Sequence, residues 1–235
     1  MLVALGMAGM AGALVMLFAD MVLYYPGRAE QRTATAYFAC IDGAAPATGL
    51  AESSMREISH GRLMLGGALG PLAATLYALG FTQIFFVLQP RGIVTACISS
   101  IGLTAMMIFG SVYHALFAYT GFLSSAIHKE GLRTWRGYSD LVSVHRTYLQ
   151  YVYRWAAVSS LAGSAAFAVA VSSQTDDDAL AYPRWLAFLV PAMSAPIKLL
   201  LKRYGVGGLV LVGGLTNLWN FLFFACATYT VWCDR

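Results

Sequence analysis

Asp20 lies in the apolar run Leu17-Phe18-Ala19-Asp20-Met21-Val22-Leu23, and His114 follows Tyr113 in a second apolar stretch. A carboxylate and an imidazole are the usual side chains for moving protons near neutral pH. Asp20 has a structural reading, pairing with a cation to orient its helix, and a functional one, as general acid, proton carrier or metal ligand. His114 is either a satisfied hydrogen-bonding residue or the acid–base partner of Asp20. Haem held by two intramembrane histidines is not expected, because the apolar spans contain no second histidine, and the cofactor stays open. Asn217 and Asn220 are the two asparagines of the chain and stand three residues apart, which puts them on one helix face. They read as interhelical glue or as the polar wall of a cavity. Tyr113, His60, Arg62 and Lys198 complete the candidate binding set, with snorkelling as the alternative for Arg62 and Lys198.

These groups need helices to carry them, and the composition says in what solvent. The chain has 235 residues, 59% hydrophobic and 11% charged, with a mean hydropathy of +0.66. Soluble domains carry about 25% charged residues, so this chain cannot cover a water-facing surface. A soluble enzyme, a disordered chain and a nucleic-acid binder are excluded despite the net charge of +4. The expectation is an all-α polytopic membrane protein, a single bundle of six transmembrane helices, with the lipid bilayer as its first partner. The spans read as about residues 2–25, 63–88, 93–123, 155–171, 184–201 and 206–232. The first run lacks the basic flank and cleavage site of a signal peptide and reads as a retained helix. Ser54-Met55-Arg56-Glu57 has a capping-box pattern, which predicts that the second helix begins near Met55. Residues 139–155 show an amphipathic helical pattern that leads into the fourth span.

Six spans leave three basic residues on one side, Arg91, Arg184 and Arg235, and twelve on the other. Cytoplasmic loops are the basic ones, so both termini are expected outside the cytoplasm, in a bacterial or organellar inner membrane. Asp20, His114, His60, Lys198 and Asn217 then fall in the cytoplasmic half, where a shared polar pocket would gather them. Close helix approach is expected at Ala8 with Gly12, Gly9 with Ala13, Gly66 with Gly70, Gly207-Gly208 and Gly213-Gly214. Cys40, Cys97, Cys226 and Cys233 have neither a C-x-x-C nor a metal-ligand spacing.

Asp20 to Tyr25, Arg62 with Gly66 to Leu79, Tyr113-His114-Ala115, and Gly213 to Leu218 occur in that order. Together they resemble an uncharacterised family of bacterial multipass membrane proteins, a domain of unknown function. The resemblance implies a six-helix membrane domain and assigns neither an activity nor a cofactor. Three functions stay open on the residues alone. One is an enzyme or binding protein for a lipophilic small molecule, with Asp20 and His114 as the catalytic pair. Another is a proton-coupled transporter, with Pro71 matching Pro191 and Pro196 in a three-plus-three division. The third is an accessory subunit whose helix faces pack on a protein partner.

Overall fold

A computed structural model describes residues 1–24, 58–130, 138–173, 182–203 and 209–233. Among them every regular element is helical. The α-helices are α1 (Leu2–Tyr24), α2 (His60–Leu88), α3 (Ile93–Glu130), α4 (Tyr138–Ser172), α5 (Ser194–Arg203) and α6 (Leu209–Cys233). A helix satisfies its own backbone donors and acceptors, which is the requirement an apolar solvent imposes. Among the described residues four segments are long and apolar enough to cross a membrane: Leu2–Leu23, His60–Arg91, Ile93–Leu123 and Ser143–Ser172.

The helices pack in a ring. α1 lies between α2 and α6, α3 lies between α2 and α4, and residues 184–193 close the ring between α4 and α6. Met16, Tyr77, Phe81, Leu103, Phe167, Leu186, Phe223 and Phe224 fill the shared core. Small residues let the backbones meet. A Cβ on Gly12 would come within 3.0 Å of Ala73 O and Tyr77 N of α2. Gly66 receives the side chain of Leu23, and Gly70 faces His114 Cβ and the backbone of Ser111. One close crossing was not expected from the sequence: a Cβ on Gly102 of α3 would lie 2.8 Å from Gly163 Cα of α4. Gly207 and Gly208 lie outside the described residues.

Three expectations need correction or refinement. α2 begins at His60, not near Met55; Ser59 is its extended N-cap, and Arg62 N donates to Ser59 Oγ at 3.4 Å. The Ser54–Glu57 pattern itself falls outside the described residues. The amphipathic stretch and the fourth span are one continuous helix, α4. The continuous fifth helix expected over 184–201 is instead two 3-10 pieces, Arg184–Leu189 and Pro191–Met193, followed by the ten-residue α5. Proline explains the break. Pro183, Pro191 and Pro196 supply no N–H, and a proline disfavours helical geometry in the residue before it; Val190 accordingly has ψ 148°. The backbone freed by the break finds side-chain partners on the neighbouring helices. Trp219 Nε1 of α6 donates to Val190 O at 3.2 Å, and Ala192 N donates to Ser164 Oγ of α4 at 3.3 Å.

The α3–α4 crossing gives a direct test. Gly163→Ala would set a methyl 2.7 Å from Leu103 N, and overpacking of this kind costs about 1–3 kcal/mol. Its thermal midpoint in detergent is expected to fall. Gly110→Ala has no neighbour within 4 Å to strike and is expected to keep the wild-type midpoint.

Candidate intramembrane polar site

Asp20 is four residues from the end of α1 and 4% exposed. It faces α2, α3 and α6 at once, and each supplies a polar group. His114 Nε2 of α3 lies 3.0 Å from Asp20 Oδ1. Asn217 Nδ2 of α6 donates to Asp20 Oδ2 at 2.6 Å. Asn217 Oδ1 in turn accepts from the hydroxyl of Tyr77 on α2 at 3.1 Å. The Tyr77 oxygen accepts from Asn220 Nδ2 at 3.3 Å, and the same amide nitrogen is 3.9 Å from Met107 Sδ.

The directions of these bonds matter more than their number. Asn220 donates to Tyr77, Tyr77 to Asn217, and Asn217 to Asp20. Every step points its positive end toward Asp20, and bonds aligned in this way polarise one another. His114 approaches the other carboxylate oxygen as a second donor. A carboxylate out of water is costly unless it is paired and hydrogen-bonded, and here both oxygens are engaged. Lys198 of α5 is near enough for its charge to interact with that of Asp20. Its helix is fixed to α6 beside Asn217, since Ser194 Oγ donates to Thr216 Oγ1 at 3.4 Å.

Local sequence explains why these side chains meet. Gly70 lets α3 approach α2 closely enough to seat His114. The i, i+3 spacing of Asn217 and Asn220 turns both amides to the Tyr77 hydroxyl. Among the described residues no cluster of three or more His, Cys, Asp or Glu is suited to a metal ion.

The structure therefore brings together Asp20, His114, Asn217 and Asn220 from the expected set, with Lys198 close by. It does not bring in the other three. Tyr113 turns away from Asp20 and packs edge-on against Phe117 with ring centroids 4.6 Å apart. His60 is exposed at the first turn of α2 and meets the edge of Phe122. Arg62 caps α1: its Nη2 and Nε donate to Val22 O at 2.8 and 3.2 Å, supplying donors to a carbonyl the helix end leaves without one. Tyr77 was missed by sequence reasoning. Its signal is a phenol in mid-helix, eleven positions before the end of α2, whereas tyrosines of an interfacial belt stand at span ends.

A family profile matches residues 2–233, almost the whole chain. The chain belongs to the family of unknown function DUF6796. No curated protein and no solved structure matches it. In this DUF6796 chain the long apolar helices fit a membrane protein.

The network predicts its own weak point. Tyr77→Phe keeps the ring and removes the hydroxyl that serves both asparagines. Leaving buried polar groups unsatisfied costs about 1–3 kcal/mol, so thermal unfolding in detergent should shift down by that amount. An unchanged midpoint would show that Tyr77 is not the joint of the network.

Proposed function

We propose that this chain is a six-span integral membrane protein with both termini on the non-cytoplasmic side, and that Asp20 and His114 form an acid–base centre for a lipophilic small molecule. The observation that carries the reading is the 3.0 Å contact of His114 Nε2 with Asp20 Oδ1, with Asn217 holding the second oxygen at 2.6 Å. In this role Asp20 orients the imidazole and offsets the charge of the imidazolium, as a carboxylate does beside a catalytic histidine. His114 is then the group that exchanges a proton with the ligand. Asn217 and Tyr77 keep the carboxylate fixed, so that proton transfer needs no rearrangement of the acceptor. The twelve-to-three split of basic residues supports access from the cytoplasmic half.

The chemistry of the chain of bonds favours this reading over proton conduction along the bundle. An amide does not pass a proton on, so Asn217 interrupts any relay from Asp20 to Tyr77. The break at residues 184–193 resembles the discontinuous helices of transporters. It is not repeated at the matching position, because α2 passes Pro71 as one helix. Binding or conversion at Asp20 and His114 is therefore preferred to alternating access.

Organic extraction of the detergent-purified protein, followed by mass spectrometry, should recover a lipophilic molecule in near-stoichiometric amount. Asp20→Asn and His114→Gln should keep the wild-type elution volume and lower the recovered amount by about tenfold, the effect of roughly 1.4 kcal/mol. Unchanged recovery in both variants would remove the reading. Loss of the folded elution peak in both would assign the pair to stability alone.

A further inference from the structure

The α1–α2–α6 interface holds a second set of buried polar groups, toward the end where α1 begins. Gln83 of α2 is fully buried, and neither its Oε1 nor its Nε2 has a hydrogen-bond partner among the described residues. Thr228 of α6 is 7% exposed, and its Oγ1 is likewise without a partner among them. Other threonines here behave differently. Thr75, Thr82, Thr120 and Thr147 each turn the hydroxyl back to the carbonyl four residues earlier, as does Thr230. Thr228 instead directs its hydroxyl into the interface, toward Gly6 of α1. A Cβ on Gly6 would overlap Thr228 Oγ1 and would come within 2.6 Å of Gln83 Oε1 and 2.9 Å of Gln83 Nε2. All three polar atoms therefore converge on the notch that this glycine leaves.

A buried amide with no partner is costly, and the groups at the notch say what would satisfy them. The amide offers two donors and an acceptor, and the hydroxyl offers one donor and further acceptor capacity. That mixture suits a molecule that both donates and accepts. It does not suit a bare cation, which would be left facing the amide N–H groups with two oxygens for ligands. We propose that Gln83, Thr228 and Gly6 form a buried hydration site, with bound water bridging the amide and the hydroxyl. The site is separate from the Asp20 centre. On α6, Phe224 lies four residues from each of Asn220 and Thr228 and divides the two sites. Its ring occupies the space left by Gly9 and Gly80 and packs on Phe81 and Tyr77, at 5.0 and 5.9 Å between centroids. Water at Gln83 would leave this aromatic layer as the barrier between two polar compartments of one interface.

The test uses the full-length protein in lipid nanodiscs, with its five glutamines labelled with nitrogen-15 in the side chain. The Gln83 amide signal is the one absent from Gln83→Leu. Magnetisation transferred from water should reach the Gln83 Nε2 protons in the wild type. Gly6→Ala, which puts a methyl in the notch, should abolish the transfer, and Thr228→Val, which keeps the shape without the hydroxyl, should weaken it severalfold. A wild-type Gln83 amide that receives no magnetisation from water would overturn the proposal. So would transfer that stays unchanged in both variants, because the water would then lie elsewhere. Should Gly6→Ala fail to fold, the wild-type and Thr228→Val spectra still decide. None of these residues touches Asp20 or His114, so failure here leaves the acid–base reading standing.

Discussion

The bundle is organised around one electrostatic constraint, a carboxylate placed where little water can reach it. Asp20, 4% exposed, can be tolerated there only if both of its oxygens accept hydrogen bonds. No single helix can supply those donors, because the backbone N–H groups of α1 are already committed within the helix. They must come from other helices. His114 and Asn217 do this directly, and Tyr77 and Asn220 do it by holding Asn217 in place. One residue thereby ties α1, α2, α3 and α6 into a fixed register. Dispersion among apolar side chains would tolerate a helix sliding by a turn. Five side chains joined by bonds near 3 Å would not.

The same constraint explains the distribution of small residues. Polar contacts of this length require backbones closer than a Leu-on-Leu interface allows. Gly12 brings α1 against the Ala73–Tyr77 turn of α2, and Gly70 brings α3 against α2 opposite His114. Each therefore sits within a turn or two of the network it makes possible. Among the described residues the α3–α4 crossing at Gly102 and Gly163 has no side-chain-to-side-chain hydrogen bond joining the two helices beside it. There, close approach sets the direction of α4, so that its Ser164 reaches the broken stretch at Ala192.

What could be read from the sequence follows from which signals are local. The helical class and the starts of α1 and α3 are written in the length and apolarity of each stretch. Asp20, His114, Asn217 and Asn220 stand out because each is a polar residue where polarity is costly. Their meeting follows from that cost, since each needs partners and the chain offers few. Tyr77 and Gln83 were passed over for a different reason. A tyrosine in an apolar helix has a bland reading as an amphipathic filler, and its hydroxyl gains meaning only when an asparagine from 140 residues away arrives beside it. The break at 184–193 was legible in Pro183, Pro191 and Pro196, but composition alone made the stretch look like one more span. Arg62 had two readings in the sequence, a binding charge and a snorkelling side chain, and which carbonyl its guanidinium meets, Val22 O at the end of α1, depends on a contact forty residues away that no local pattern shows.

The polar residues of α6 show how few positions can divide an apolar interface into regions of different character. Asn217, Asn220, Phe224 and Thr228 recur at spacings of three and four, so they form one stripe facing α1 and α2. Read along that stripe, the surface is polar, then aromatic, then polar again. Moving Phe224 by a single position would rotate its ring about 100° out of the stripe, away from the notch formed by Gly9 and Gly80. Asn220 and Thr228 would then face each other along α6 with no ring between them. The separation of the Asp20 centre from the Gln83 notch thus depends on the phase of one phenylalanine, and Gly9 and Gly80 owe their smallness to that ring rather than to direct helix contact alone.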